Sequence, residues 1–161
     1  MRVRAVSAFI VASVVAAAPA GALEVQRSVE VAAPPDEVWA AIGEVCAIAD
    51  WHPVIASCLP EGEGDALYRV LETEDGGILR EHMIEIDDAA HSYTYSILEG
   101  PLPVQGYRST LSVTPGAEEG RSVILWQSDF TALGVPDEEA AAIIAGIYDA
   151  GLEALAARFG E

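Results

Sequence analysis

Lysine is missing from the 161-residue chain: its eight basic residues are all arginines, set against 26 Asp and Glu, for a formal net charge of −18. This charge repels the phosphates of nucleic acids and the anionic headgroups of membranes, so neither is a predicted partner. The two cysteines, Cys46 and Cys58, lie in no Cys-x-x-Cys or zinc-spaced Cys/His pattern. The sequence also lacks a Gly-rich phosphate loop, H-E-x-x-H and G-x-S-x-G, so no metal site and no cofactor are predicted.

The acidic residues all lie after Ala22, and the segment before them has a different character. Arg2 and Arg4 are followed by an apolar run over residues 5–18, and residues 20–22 have the small-x-small pattern that signal peptidase accepts. Residues 1–22 are therefore predicted to be a cleaved secretory signal peptide, and residues 23–161 one exported domain, periplasmic or secreted. The apolar run is short of the roughly 20 residues that span a bilayer, and an uncleaved anchor is the alternative.

Export affects how the two cysteines are interpreted. Disulfides persist outside the cytoplasm, and Cys46 and Cys58 allow one intramolecular pairing around a short loop. Such a bridge would stabilise the domain by roughly 2–4 kcal/mol. A pair of buried free thiols is the alternative.

The hydrophobic pattern after the signal segment predicts an α+β domain. Alternation indicates a first strand over residues 23–31, a helix begins near Pro35, and a second short helix precedes the Trp51-His52-Pro53 break. Five further strands with short turns predict an antiparallel meander over residues 66–74, 78–87, 92–98, 107–114 and 121–133. Apolar residues at spacings of three and four then predict a long helix from Pro136 to Phe159, packed over a curved sheet.

One face of the predicted sheet has an unusual composition for a core. Alternation places Tyr95, Tyr107, Ser109, Trp126 and Ser128 on the concave side, where Val, Leu and Ile normally predominate. Hydroxyls interspersed with aromatic rings suit a cavity that holds an apolar ligand with a few polar groups. The alternative is a filled core in a domain that acts as an interaction partner in an exported assembly.

Several segments carry a resemblance to a known family. They are V-E-V-A-A-P-P-D-E-V-W at residues 29–39, W-H-P at 51–53, R-E-H-M at 80–83 with D-D at 87–88, and the long last helix with G-L at 151–152. Together they resemble the START/Bet v 1-like helix-grip superfamily and, more narrowly, its polyketide cyclase/dehydrase-like (SRPBCC) proteins. The resemblance covers nearly all of residues 23–161. It implies a curved antiparallel sheet wrapped around a long C-terminal helix, with two short helices after the first strand, and it is specific for fold rather than function.

Within this superfamily the chain also looks like a distant relative of plant abscisic-acid receptors. That resemblance implies that Glu81, Tyr107 and Ser109 line a pocket and that Tyr95 forms an aromatic wall. His52 stands where the receptors place a lysine that holds the hormone's carboxylate, a role that a histidine fills only when protonated. Residues 74–77 and 99–103 replace the receptors' gate and latch loops, so closure of a lid over a hormone is not predicted.

The leading prediction is an exported protein that binds a small hydrophobic or amphipathic molecule between the sheet and the last helix. The alternative is a polyketide cyclase/dehydratase-like enzyme in the same cavity, with Glu81 as candidate general acid or base, aided by His52 and a tyrosine hydroxyl. An ion pair of Glu81 with Arg69 or Arg108 is the non-catalytic interpretation. Export favours binding, because polyketide cyclases are usually supplied by cytoplasmic acyl carriers. The predicted ligand-binding residues are Trp51, His52, Leu79, Glu81, Met83, Tyr95, Tyr107, Ser109, Leu111, Trp126, Ser128, Ile143 and Ile147.

Overall fold

The computed structural model describes residues 21–160, so nearly all of the predicted signal peptide lies outside the described residues. Within them, seven strands and three helices follow one another, with a single 3-10 turn at Gly64–Ala66. In chain order they are β1 (Leu23–Val31), α1 (Pro35–Ile42), α2 (Ile48–Trp51), β2 (Ile55–Glu61), β3 (Tyr68–Thr73), β4 (Ile78–Asp87), β5 (Ser92–Glu99), β6 (Val104–Pro115), β7 (Ser122–Ala132) and α3 (Asp137–Phe159).

The strands form one antiparallel sheet in the order β1-β7-β6-β5-β4-β3-β2. From β2 to β7 each strand pairs with its neighbour in the chain, while β1 pairs with β7 from Leu23 opposite Phe130 to Val31 opposite Ser122. Irregular register in the β4–β5 and β6–β7 pairs bends the sheet, and Gly106, with a φ of +63°, lies at the second of these sites. The α+β helix-grip fold expected from the sequence is confirmed.

Strand β2 is a correction to the sequence-based prediction, which had five strands after the short helices where the structure has six. Ile55–Glu61 pairs only with β3, so β2 is an edge strand, and most of its side chains are exposed. It therefore has no alternating apolar face for a pattern search to find. Pro60 is tolerated here because an edge strand leaves one row of backbone N–H groups unpaired.

Helix α3 covers the concave face of the sheet. Three acidic residues in its first turn and Arg158 in its last turn complement the helix dipole, and Gly160 ends it with a φ of +84°. Its length and apolar composition alone would allow α3 to cross a membrane, a test that the core helix of a soluble domain also passes. The side chains that it buries are those of Ala140, Ile144, Ala145, Tyr148, Leu152, Leu155 and Ala156.

Cys46 and Cys58 form a disulfide with a Cα–Cα distance of 5.4 Å. The bridge joins the segment between α1 and α2 to edge strand β2. The loop that it closes contains the whole of α2 and the turn at His52, so it constrains the part of the chain that leads into the sheet.

Candidate ligand-binding cavity

An interior cavity of about 150 Å³ lies between the concave face of the sheet and α3. An apolar cavity of comparable volume binds benzene in another protein, so the space suits a ligand of about one ring. Depressions of about 370 Å³ between β1 and α3 and about 520 Å³ on the outer face of the sheet are open surface grooves. The cavity is lined by Ile48, His52, Val54, Ile55, Leu71, Thr73, Asp75, Leu79, Glu81, Tyr95, Ile97, Pro101, Leu102, Tyr107, Trp126, Ile144, Ile147 and Tyr148.

The residues predicted from sequence divide into those that line this cavity and those that lie behind it. Trp51, Met83, Ser109, Leu111 and Ser128 are buried but do not line it. Ile143 is half-buried on α3 and does not line it either. One residue along a helix turns the side chain by about 100°, so Ile144 takes the lining position instead. Those that line it are His52, Leu79, Glu81, Tyr95, Tyr107, Trp126 and Ile147.

Eleven of the lining residues were not predicted from the sequence, and two groups among them show why. Tyr148 lies in the apolar stripe of α3, and its spacing from Ile144 was a signal that could have identified it. Pro101 and Leu102 come from the β5–β6 connection, and Thr73 and Asp75 from the end of β3 and the turn after it. Such connections have no hydrophobic period, so the sequence pattern does not show which of their side chains face inward.

Glu81 forms an ion pair with Arg69, the non-catalytic interpretation raised above. Arg69 Nε donates to Glu81 Oε2 at 2.6 Å, and Arg69 Nη1 donates to the Val45 carbonyl at 3.0 Å. Arg69 is fully buried, and its guanidinium lies 4.9 Å from the centroid of the Tyr95 ring. Burial is the largest single influence and opposes the charge on Arg69, but the charge and hydrogen bond of Glu81, together with Tyr93 and Tyr95, outweigh it and raise the pKa of Arg69.

His52 is buried at the end of α2 with both ring nitrogens engaged. Nε2 lies 3.0 Å from the Ile147 carbonyl, and Nδ1 lies 3.3 Å from the Val54 N–H. A carbonyl only accepts and an N–H only donates, so the neutral ring protonated at Nε2 satisfies both contacts. Burial lowers the pKa of His52, which also favours the neutral form. In this arrangement His52 does not present the cation that a ligand carboxylate would need.

A hydrogen-bonded network of hydroxyls lies on the sheet side of the cavity. Trp126 Nε1 donates to Tyr95 Oη at 3.2 Å and to Ser109 Oγ at 3.1 Å. Ser109 Oγ lies 3.0 Å from Tyr148 Oη, which in turn hydrogen-bonds to Tyr107 Oη. Burial raises the pKa of Tyr95, Tyr107 and Tyr148, so these phenols remain protonated.

A family model described as polyketide cyclase / dehydrase and lipid transport matches residues 22–160. The chain belongs to this family. Protein XoxI from Bacillus cereus has a similar structure, with 37% sequence identity and a TM-score of 0.81, over 84% of this chain and 94% of that one. No curated protein is recognisably similar to the chain.

Two more distantly related solved structures share the fold of this chain. The ZhuI aromatase/cyclase from Streptomyces sp. R1128 is 21% identical with a TM-score of 0.71, over 85% of this chain and 93% of that one. A START superfamily protein from Mycobacterium smegmatis is 17% identical with a TM-score of 0.73, over 86% and 97%. In the chain described here, residues 21–160 contain no group of three or more His, Cys, Asp or Glu placed to hold a metal ion.

Proposed function

We propose that the protein is an exported binding protein for a small hydrophobic or amphipathic molecule held in the interior cavity. The observation that carries the proposal is the lining, which is mostly apolar and includes a few polar groups such as Glu81, Tyr95 and Tyr107. A mostly apolar lining with a small number of placed polar groups is typical of small-molecule sites. Membership in a family described partly by lipid transport supports the same conclusion.

The volume of the cavity limits the size of the ligand that it can hold in this arrangement. Apolar burial stabilises a complex by about 25 cal/mol per Å², so 100 Å² of ligand surface against Trp126, Ile144 and Ile147 contributes roughly 2.5 kcal/mol before entropy losses. A ligand larger than one ring requires the outer end of the cavity to open. The exposed lining residues Val54, Asp75 and Pro101 mark that end.

Export is part of the proposal. The Arg2/Arg4 start, the apolar run and the small residues before Leu23 support it from the sequence. The Cys46–Cys58 disulfide supports it from the fold, because disulfides persist in oxidising compartments and are rare in the cytosol.

A cyclase/dehydratase-like enzyme would act in the same cavity, since Glu81 and three tyrosines line it. The contacts of the two candidate acid–base groups favour binding instead. Glu81 is held through Oε2 by Arg69, and both ring nitrogens of His52 are held by backbone groups. We therefore place binding first; turnover lost in Glu81→Gln with binding retained would reverse the order.

A ligand titration on residues 23–161 tests the binding function. Toluene, in aqueous solution, should quench or shift the emission of Trp126 and raise the melting temperature, because it binds the native state only. Ile144→Phe fills the cavity and should abolish both effects. Ile143→Phe is the matched control on the same helix, since Ile143 does not line the cavity. No saturable binding by the unchanged protein would refute the proposal, and so would equal loss in the two variants.

A further inference from the structure

The protons of the hydroxyl network can be assigned from its contacts. Ser109 has one hydroxyl proton, and its 3.0 Å contact with the backbone carbonyl of Gln127 needs it, because a carbonyl only accepts. Ser109 therefore accepts from the Tyr148 phenol. Tyr148, whose proton is used there, accepts from Tyr107. This is the one assignment that satisfies all three contacts, and it leaves Tyr107 with a free lone pair and no free proton.

Tyr95 is left with a free donor. Trp126 Nε1 can only donate, so Tyr95 Oη accepts from it at 3.2 Å. Among residues 21–160 the hydrogen bonds of the structure include none in which Tyr95 Oη donates. Tyr95 lines the cavity, so its phenol O–H is the hydrogen-bond donor that a ligand oxygen meets there.

Besides the lone pair of Tyr107, the cavity has a charged hydrogen-bond acceptor, the carboxylate of Glu81. Glu81 accepts from Arg69 through Oε2, and the hydrogen bonds of the described residues leave Oε1 unused. Glu81 lines the cavity as Tyr107 does. A ligand hydroxyl can therefore accept from Tyr95 and donate to an oxygen on Glu81 or Tyr107.

The charges around the cavity have one sign. Asp75 and Glu81 are its acidic lining residues, and neither lysine nor arginine occurs among the lining residues that the structure describes. Arg69 lies behind them, with Nε on Glu81 and Nη1 on the Val45 carbonyl. His52 is neutral when both its contacts are satisfied. A carboxylate in the cavity would lose its hydration without gaining a cation, which is costly.

We infer that the cavity selects uncharged ligands of about one ring that carry a hydroxyl, and rejects carboxylates of the same shape. The hydroxyl accepts from Tyr95 and donates to Glu81 or Tyr107. This inference rests on the proposed binding function and narrows its class of ligand. It differs from the anion-binding role that the resemblance to hormone receptors implies for position 52.

Three probes of nearly the same shape test the inference on the unchanged protein: benzyl alcohol, toluene and benzoate, each titrated calorimetrically at pH 7 and 0.15 M salt. Benzyl alcohol should bind most tightly, and benzoate at least tenfold more weakly than benzyl alcohol. Benzoate that binds as tightly as benzyl alcohol would overturn the inference and leave the binding function standing. Absence of binding by all three would refute the binding function, and the inference with it.

Two variants then assign the selectivity to residues. Tyr95→Phe removes the free donor and keeps the ring, so benzyl alcohol should lose about tenfold in affinity while toluene is unaffected. Glu81→Gln removes a negative charge and leaves Arg69 behind it, so the ratio of benzoate to benzyl alcohol affinity should rise. Tyr68→Phe, at a position outside the cavity, is the matched control and should change neither. Equal losses for toluene and benzyl alcohol in Tyr95→Phe would contradict the role of its hydroxyl.

Discussion

Arg69 Nε lies 2.6 Å from Glu81 Oε2, and the two residues stand directly opposite each other on β3 and β4. The Arg69 side chain is 0% exposed and that of Glu81 5%. Charges at this depth are stable only when both are present, because each alone would be buried without compensation. The pair therefore links the stability of the sheet to the polarity of the cavity wall.

Removing one partner of this pair should be strongly destabilising. Arg69→Met leaves Glu81 uncompensated, and we expect a loss of about 3–5 kcal/mol in the free energy of unfolding, measured by urea denaturation. Replacing both, as in Arg69→Met with Glu81→Leu, should recover much of the loss. The half-exposed pair Arg80–Glu61, at 3.2 Å, is the control, and Arg80→Met should cost at most about 1 kcal/mol. Similar losses for Arg69→Met and Arg80→Met would contradict this account.

The disulfide should stabilise the cavity wall as well as the fold. Ile48, His52, Val54 and Ile55 all line the cavity and all lie within the loop that Cys46 and Cys58 close. Reduction by dithiothreitol should lower the free energy of unfolding by roughly 2–4 kcal/mol and weaken toluene binding. The double variant Cys46→Ser with Cys58→Ser should show both losses and no further response to the reductant. Full binding by the reduced protein would show that the loop needs no constraint.

Alternation along the strands predicted the concave face because the inward residues there are buried beneath the helices. In β7 the buried positions Ile124, Trp126, Ser128 and Phe130 follow the period of two. The partner of Glu81 could not be chosen between Arg69 and Arg108 from sequence, because the choice depends on which strands pair and in what register. The hydrophobic pattern of a strand or helix indicates which of its own residues are buried. A binding site combines side chains from several strands and helices, and the pattern of one of them does not show which will meet.

The same limit applies to Ile143, to edge strand β2 and to Ser109. Ile143 and Ile144 both fit an apolar stripe, and only the packing of α3 against the sheet decides that Ile144 faces the cavity. Edge strand β2 has too few buried side chains to produce an alternating pattern. Ser109 was placed on the inward face by alternation, yet it lies behind Trp126 and Tyr148, because large aromatic side chains cover a small one.

His52 should make stability depend on pH. Burial lowers its pKa in the folded state from the ordinary 6.5, so the unfolded chain binds the proton more readily. The contribution is therefore fully present above about pH 6.5 and is lost as the pH falls from there towards the folded pKa. Urea unfolding at pH 7.5 and 5.5 should show a smaller pH-dependent loss in His52→Gln than in the unchanged protein. His82→Gln, a variant on β4 outside the cavity, should keep the full loss; equal losses in all three proteins would contradict the prediction.

Gly151 lets α3 approach His52 and Trp126. A Cβ at this position would lie 2.7 Å from His52 Cδ2 and 3.0 Å from Trp126 Cζ3, so those buried rings would have to shift. Gly151→Ala should therefore destabilise the domain by about 1–3 kcal/mol, because overpacking outweighs the helix propensity that alanine gains. It should also weaken toluene binding, since both rings line the cavity.

Gly146→Ala, on the same helix, is the matched control for this close approach, because a Cβ at Gly146 would meet nothing within 4 Å. It should raise the free energy of unfolding by up to about 1 kcal/mol through helix propensity alone. Urea denaturation of the two variants therefore separates propensity from packing, as both make the same chemical change in α3. If Gly151→Ala stabilised the domain as Gly146→Ala does, the rings of His52 and Trp126 would not be closely packed against α3, and the wall they form would be looser than its contacts indicate.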